Sequence, residues 1–413
     1  MEGLQPIYRR VAGIDVHRML HVVTAVIENP DGTIEQTSRN FGGFKRDCRA
    51  LAAWLVELGV ELVVLESTGI YWKSVYTYLE QAGINAWVVN AHFVKHVPGR
   101  KTDMSDAQWL AVLARFGLVR GSFIPPQDLR ELRLLSRYRR RLSTMCASEV
   151  NRLHKILDDG GIKLGGVVSD INGVSAREMV AGLIEGVGID QLQDMARGAL
   201  KLKRDDLEAA LDGDLTARHL FVLKHLHAHI GTLERELAEL DAYILGAMTP
   251  YQWAHRLLQT IPGIDQIASA LILIEIGDDM TRFGCADRLA AWAALCPGNN
   301  ESAGKRKSGR TRKGNAIIRY LLCECANAAR MTRSSLAAKY KSLMVRKTHK
   351  KAIVALAHKM IRLIYLLLTR KKAYLDPQVD YAAMSARKNA PRWIKQLKLI
   401  GQWPDKKPAP TSA

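Results

Sequence analysis

The chain lacks paired cysteines in any recognisable spacing: Cys48, Cys146, Cys285, Cys296, Cys323 and Cys325 are scattered through 413 residues without a C-x-x-C among them. This argues against a disulfide framework and against a zinc site, and a reducing cytosol is the expected compartment. Met1 to Arg10 lacks the apolar core of a signal peptide. The most apolar late stretch, Ala352 to Thr369, is interrupted by His358, Lys359 and Arg362, so no membrane span is expected. No internal repeat is apparent. Acid is also in short supply, with 41 Asp and Glu against 60 Lys and Arg and a net charge of +19. That balance points to a polyanionic partner, and without an amphipathic basic anchor the partner is expected to be nucleic acid rather than a membrane surface. The length is large for one core and predicts two or three domains.

Within the first 120 residues, Val11 to Val16, His21 to Ile27 and Thr33 to Phe41 read as strands, with a turn signal at Pro30-Asp31-Gly32. Phe44 to Leu58 has helical spacing, Glu61 to Leu65 reads as a strand ending on Glu66, Trp72 to Ala82 as a helix and Ala86 to Asn90 as a strand. The order βββαβαβ, followed by a helix bearing acids, matches the α/β ribonuclease H-like fold. In that fold the first and fourth strands lie side by side and parallel, so Asp15 and Glu66 would be neighbours. Asp103 and Asp106 are three residues apart and would share a helix face. The helix start is open: Thr102 as N-cap puts both acids in the first turn, whereas Ser105 with Gln108 leaves Asp103 in the loop. Acids near a helix N-terminus alone would only complement its dipole. Carboxylates ending two apolar runs need another reason, and four converging carboxylates would make a site for divalent metal and phosphodiester chemistry.

Leu129 to Leu157 and Leu220 to Met248 predict long helices. In the second, Leu223, Leu226, Ile230, Leu233, Leu237, Leu240 and Ile244 recur in steps of three and four, a coiled-coil seam. The glycine-rich insert between them, Gly160 to Gly188, suggests a hairpin or a pair of arms, with dimerisation through them as the favoured expectation and an intramolecular helical linker as the alternative. His225, His227 and His229 are read as surface residues, because 227 points away from the other two.

Leu257 to Ile264, containing Ile261-Pro262-Gly263-Ile264, followed by a helix over Ile267 to Ile274, resembles one helix-hairpin-helix unit, whose turn would offer backbone N–H groups to phosphate; an ordinary helix turn explains it as well. Further on, Ser302 heads a segment with six cations (Lys305, Arg306, Lys307, Arg310, Arg312, Lys313) and three glycines within eleven residues, read as a loop that wraps a phosphate backbone. A hydroxyl beside phosphate-bound cations is a candidate nucleophile. Asn315 to Met331 and Ala352 to Leu368 are expected core helices. The tail from Arg387, with Trp393 and Trp403, would either bind nucleic acid or be disordered.

Gly13-Ile14-Asp15, Leu65-Glu66-Ser67-Thr68-Gly69, Lys101-Thr102-Asp103 with Asp106-Ala107, Ile261-Pro262-Gly263-Ile264 and Glu301-Ser302 together resemble the DEDD-type insertion-sequence transposases, relatives of the Piv DNA invertases. The resemblance covers roughly residues 11–118 and 257–368. It implies a RuvC-like catalytic domain over 1–122, a helical coiled-coil region with insert over 123–250, a mainly α-helical transposase domain over 251–375 and a basic, partly disordered tail over 376–413. It implies that Asp15, Glu66, Asp103 and Asp106 bind one or two Mg2+ ions and that Ser302 is the nucleophile giving a phosphoserine intermediate. Lys101, Lys305, Arg306, Lys307, Arg310, Arg312 and Lys313 would contact nucleic acid. The implied partners are element-end and target DNA, an element-encoded bridge RNA, and further copies of the chain in a homodimer or homotetramer, in the bacterial cytosol or nucleoid. Ala303 stands where a glycine often follows the serine, which leaves Ser308 as a second candidate. The rival expectations are a Holliday-junction-type metal-dependent endonuclease and a non-enzymatic nucleic-acid-binding protein.

Overall fold

A computed structural model describes residues 5–66, 69–91, 94, 97, 104–298, 300–311, 313–377 and 379–402. They fall into two compact units, Met1–Gln127 and Asp128–Ala413.

The first unit runs β1 (Arg10–Val16), β2 (Leu20–Glu28), β3 (Ile34–Gly42), α1 (Lys45–Glu57), β4 (Leu62–Glu66), α2 (Trp72–Gln81), β5 (Ala86–Val89) and α3 (Asp106–Arg115). The strands form one sheet in the order β3-β2-β1-β4-β5. β1 and β2 are antiparallel, whereas β1 and β4 run parallel from Val11↔Leu62 to Ile14↔Leu65. The β2–β3 turn is the one the sequence marks: Asp31 accepts from the Thr33 amide at 2.9 Å, and Gly32 takes φ +84°. Because strand side chains alternate, each apolar run feeds two cores. Ala12, Ile14, Val63 and Leu65 pack with Leu51, Leu55, Val75 and Leu79 from α1 and α2. Val11, Leu62, Val64 and Val89 pack with Trp109, Leu110 and Leu113 from α3. Burying each such side chain contributes on the order of 1.5–3 kcal/mol.

The second unit opens within α4 (Gln127–Asp159), followed by α5 (Val174–Glu185), α6 (Arg204–Leu211) and α7 (Ala217–Gly246), with three shorter helices among them. α4 and α7 lie antiparallel. Arg139 makes a two-point ion pair with Asp241, Glu149 meets His229 at 4.0 Å, and Asp159 meets His219 at 3.1 Å, so one helix retreats as the other advances. Leu223, Ile230 and Leu233 of the predicted seam are buried with Leu142, Leu153 and Leu157 of α4 and with Met179, Leu192 and Leu207 of the insert. The seam is therefore filled by the chain itself, and the intramolecular alternative describes this stretch; dimerisation through it is not what buries these residues. The three histidines follow the surface reading in part, His225 and His229 being exposed and His227 half-buried.

Then come α8 (Gln252–Gln259), α9 (Gln266–Ile276), α10 (Ala286–Trp292), a hairpin of β6 (Asn300–Ser302) and β7 (Lys305–Ser308), α11 (Ala316–Ala329), α12 (Ser335–Met344), α13 (His349–Arg370) and α14 (Tyr381–Leu399). By length and composition α13 could cross a bilayer, yet half of its apolar window is buried and it packs against α8, α10, α11 and α12, which makes it the central core helix of this region. The tail is not without structure up to Gln402: α14 carries Trp393, and its start is capped by Asp380, whose carboxylate accepts from the Ala383 amide at 2.9 Å. Trp403 lies outside the described residues.

Candidate functional site

Strand alternation decides where the acids face. In β1 the α3-side residues are Val11, Gly13 and Asp15; in β4 they are Leu62, Val64 and Glu66. Asp15 and Glu66 each stand one residue beyond the last β1–β4 register pair, Ile14↔Leu65, so they are neighbours on one face at the carboxyl ends of two parallel strands. The helix covering that face starts at Asp106. Ser105 is the N-cap, extended at ψ 157°, and its Oγ accepts from the Gln108 amide at 3.2 Å, which settles the helix start in favour of Ser105. Asp103, Thr102 and Lys101 lie outside the described residues.

What brings Asp106 to the strand ends is a glycine. A Cβ at Gly13 would overlap the carbonyl oxygen of Ala107 and come within 2.5 Å of the Ala111 amide nitrogen, so the first turns of α3 lie directly on the β1 backbone two residues from Asp15. The helix is held there by Trp109, Leu110 and Leu113, and at its far end by the Arg115–Glu28 ion pair at 2.7 Å. Dipole complementation would account for Asp106 alone, but not for two further acids turned to the same face.

A residue absent from the sequence expectations joins this group. His17 Nε2 lies 3.1 Å from Asp15 Oδ2. The available signal was its spacing, since residues two apart on a strand share a face. Among the described residues no three carboxylate, cysteine or histidine groups are already closed around one point. The donor set of Asp15, Glu66 and Asp106 is nevertheless all carboxylate oxygen, the chemistry that suits Mg2+.

In the second unit the cationic segment is a β-hairpin rather than a wrapping loop, a correction to the sequence expectation. The turn is only two residues, Ala303 and Gly304, both left-handed at φ +48° and +73°, which matches the right-handed twist of paired strands and closes the hairpin tightly. Ser302 ends β6 opposite Lys305, immediately before the turn, whereas Ser308 pairs with Asn300 across a bulge at the hairpin root. The two candidate serines therefore occupy opposite ends. Lys305, Arg310 and Lys313 are exposed, Arg306 and Lys307 lie within β7, and Arg312 is outside the described residues. The hairpin is anchored by the Pro297–Thr311 bridge and by Gly298 N–H donating to the Arg310 carbonyl at 2.7 Å.

The Ile261–Ile264 turn does join two helices. Its glycine is directed inward: at φ +86°, a Cβ on Gly263 would come within 2.5 Å of the Cys325 carbonyl oxygen and of the Ala329 nitrogen. The following helix start is capped by the chain's own Asp265, which accepts from the Ala268 amide at 2.7 Å. Packing against α11 thus accounts for this glycine, and an acid already occupies the position a phosphate would take.

Residues 12–161 match a family model described as Transposase (DEDD_Tnp_IS110), and residues 255–341 match one described as Transposase IS116/IS110/IS902 family. The chain is 25% identical over 334 residues to "Transposase for insertion sequence element IS1111A" of Coxiella burnetii, covering 78% of this chain and 81% of that protein. It is 24% identical over 321 residues to "Probable family 20 transposase" of Pseudomonas aeruginosa, covering 76% and 85%. It is also 30% identical over 166 residues to "Insertion element IS900 uncharacterized 42 kDa protein" of Mycobacterium paratuberculosis, covering 39% and 41%. The two matched segments include the acidic strand ends and the serine hairpin together with its flanking helices.

Proposed function

Because the chain belongs to the DEDD-type insertion-sequence transposase family, we propose that it recombines DNA by strand cleavage, exchange and religation, using Asp15, Glu66, Asp103 and Asp106 at a magnesium site and Ser302 as nucleophile. The observation that carries this reading is the placement of Asp15 and Glu66 on one sheet face beneath the start of α3, where Asp106 is the first helical residue. Magnesium bound there would neutralise the mutual repulsion of the carboxylates and draw charge from a phosphodiester oxygen.

The chain's own groups do the rest. Ser302 Oγ forms a bond to phosphorus as the P–O3′ bond breaks; on balance the serine proton goes to the departing 3′-oxygen, leaving a 5′-phosphoserine and a free 3′-hydroxyl. Attack by a different 3′-hydroxyl reverses the step, so the phosphodiester count is conserved and no water is consumed. Exposed Lys305, Arg310 and Lys313 stabilise the negative charge that develops on the phosphoryl oxygens. We extend the proposal to an element-encoded RNA pairing with donor and target DNA and to a homo-oligomeric assembly; the +19 net charge supports a polyanionic partner beyond a short DNA segment.

The test is a covalent one. The protein, element-end DNA and the element's transcript are incubated with magnesium, denatured, and assayed for protein joined to DNA. The expected adduct disappears in Ser302→Ala and in Asp15→Asn or Asp106→Asn. Cleavage that persists in Ser302→Ala would identify a hydrolase and end the serine proposal, and a fully active Asp106→Asn would end the metal-site proposal.

A further inference from the structure

The C-terminal region holds a cationic cleft that the nucleophile and acid assignments do not use. A cavity of about 800 Å³ lies between the root of the β6–β7 hairpin, at Pro297, Gly309 and Thr311, and the start of α13, at Lys347, Lys350 and Lys351. Among the described residues, no Asp or Glu lines it. All three lysines are exposed, and none has an ion-pair partner among the described residues. The carboxylate felt at its inner end, Asp287, acts on His358 and is itself paired with Arg362 at 3.5 Å. His358 is held below its ordinary pKa, first by burial and then by Arg362, so it adds a neutral donor or acceptor to the cleft rather than charge.

The placement of the lysines runs against local stability. Lys350 and Lys351 occupy the first turn of α13, the positive end of its dipole, where cations are disfavoured by roughly 0.3–1 kcal/mol each. Thr348, the N-cap, makes no side-chain hydrogen bond to the first-turn amides, so those N–H groups add to the positive field. A segment that gathers three cations around a helix N-terminus, beside a cavity that no acid among the described residues lines, is arranged for an anion. Phosphate is that anion's natural chemistry, and the cleft adjoins the strands that carry Ser302. β6, which ends on Ser302, begins three residues after Pro297, so cleft and serine belong to one hairpin.

We propose that this cleft holds the sugar-phosphate backbone of the DNA strand whose phosphate meets Ser302, with Lys347, Lys350 and Lys351 binding its phosphates. The assignment of DNA rests on the recombinase reading above. The test is the salt dependence of binding, measured on the full chain with a mixed-sequence 40-base-pair DNA duplex and with an RNA of the same length. Removing one phosphate-binding cation lowers the slope of log K against log salt by about 0.9 on duplex DNA. Lys347→Gln/Lys350→Gln/Lys351→Gln is expected to reduce the DNA slope by about 2–3, with a melting temperature equal to or above that of the unsubstituted chain. A control that removes the same charge elsewhere, Lys155→Gln/Lys201→Gln/Lys224→Gln, is expected to change the slope by less than 1. An unchanged DNA slope, an equal fall in the control, or a fall confined to RNA would each overturn the proposal. Binding needs no chemistry, so this outcome is independent of the covalent-adduct test: absence of the adduct ends the recombinase reading, whereas an unchanged slope ends only the cleft assignment.

Discussion

The acidic site and the serine hairpin are built by opposite means. Asp15 and Glu66 stand at the ends of central strands whose other residues are largely buried, and Asp106 is positioned by a helix lying on the β1 backbone, so the carboxylates inherit the rigidity of a core. Ser302 sits at the tip of a two-stranded hairpin whose local geometry depends on a two-residue turn. A metal site needs several donors held to a fraction of an ångström, which only a packed scaffold supplies. The nucleophile proposed at Ser302, which must first meet and later release a phosphate, would tolerate a lighter mounting. Disturbing the scaffold should therefore damage the acidic site through the fold, while disturbing the turn should act locally.

The largest expected effect of this kind comes from Gly13→Ala. The new methyl collides with backbone that cannot rotate away, so α3 must lift from the sheet; a loss of about 3 kcal/mol in the first unit is expected, with loss of the covalent adduct. Hydrogen exchange in β1 and α3 reads the stability. Wild-type protection would show that helix and sheet do not meet as described.

A smaller effect separates the two regions by pH. His21 is 2% exposed, its Nδ1 lacks a hydrogen-bond partner among the described residues, and its Nε2 faces the Cys48 thiol at 3.7 Å. Burial, the largest influence, holds its pKa below the ordinary value; His17 pushes the same way, and the Leu20 backbone and Asp47 oppose it. The unfolded chain then binds the proton more readily than the folded one. The contribution is complete above the unfolded pKa of about 6.5 and is lost as pH falls from there toward the folded pKa. Exchange protection of β1 and β2, corrected for intrinsic rates, should fall between about pH 7 and pH 5, and His21→Asn should flatten that fall. An equally steep fall in the variant would assign it to other groups.

The smallest effect is at the turn. Ala303 carries a Cβ at φ +48°, a conformation that costs an L-residue about 1 kcal/mol and a glycine almost nothing. Ala303→Gly should stabilise the hairpin by about 0.5–1 kcal/mol without altering exchange in the first unit, whereas Ala303→Val should destabilise it. A response in β1 or α3 would break the distinction between a core-mounted and a turn-mounted site.

Much of the first unit was legible because its strands and helices carry clean periods of two and 3.6, and the turn at Asp31-Gly32 has its own chemistry. Legibility failed where two readings share a pattern. The seam from Leu223 to Ile244 reads the same whether a second chain or the insert fills it; here Met179, Leu192 and Leu207 are among the side chains that fill it. Lys305-Arg306-Lys307-Ser308 has no apolar alternation to mark it as a strand, and the hairpin is set by the turn instead.

Residue type and short-range spacing were enough to establish the chemistry on offer: carboxylates ending apolar runs, a serine ahead of a cationic stretch, a large positive charge, and a set of motifs that belong to one family. A linear pattern carries such features in full. Folding was needed to turn Asp15 and Glu66 to the α3 face, to seat that helix on Gly13, to bury the Leu223–Ile244 stripe on its own chain, and to line a cleft beside the hairpin root with three lysines. Each of these arrangements joins residues far apart in the chain, and their geometry arises only when strands pair and helices pack.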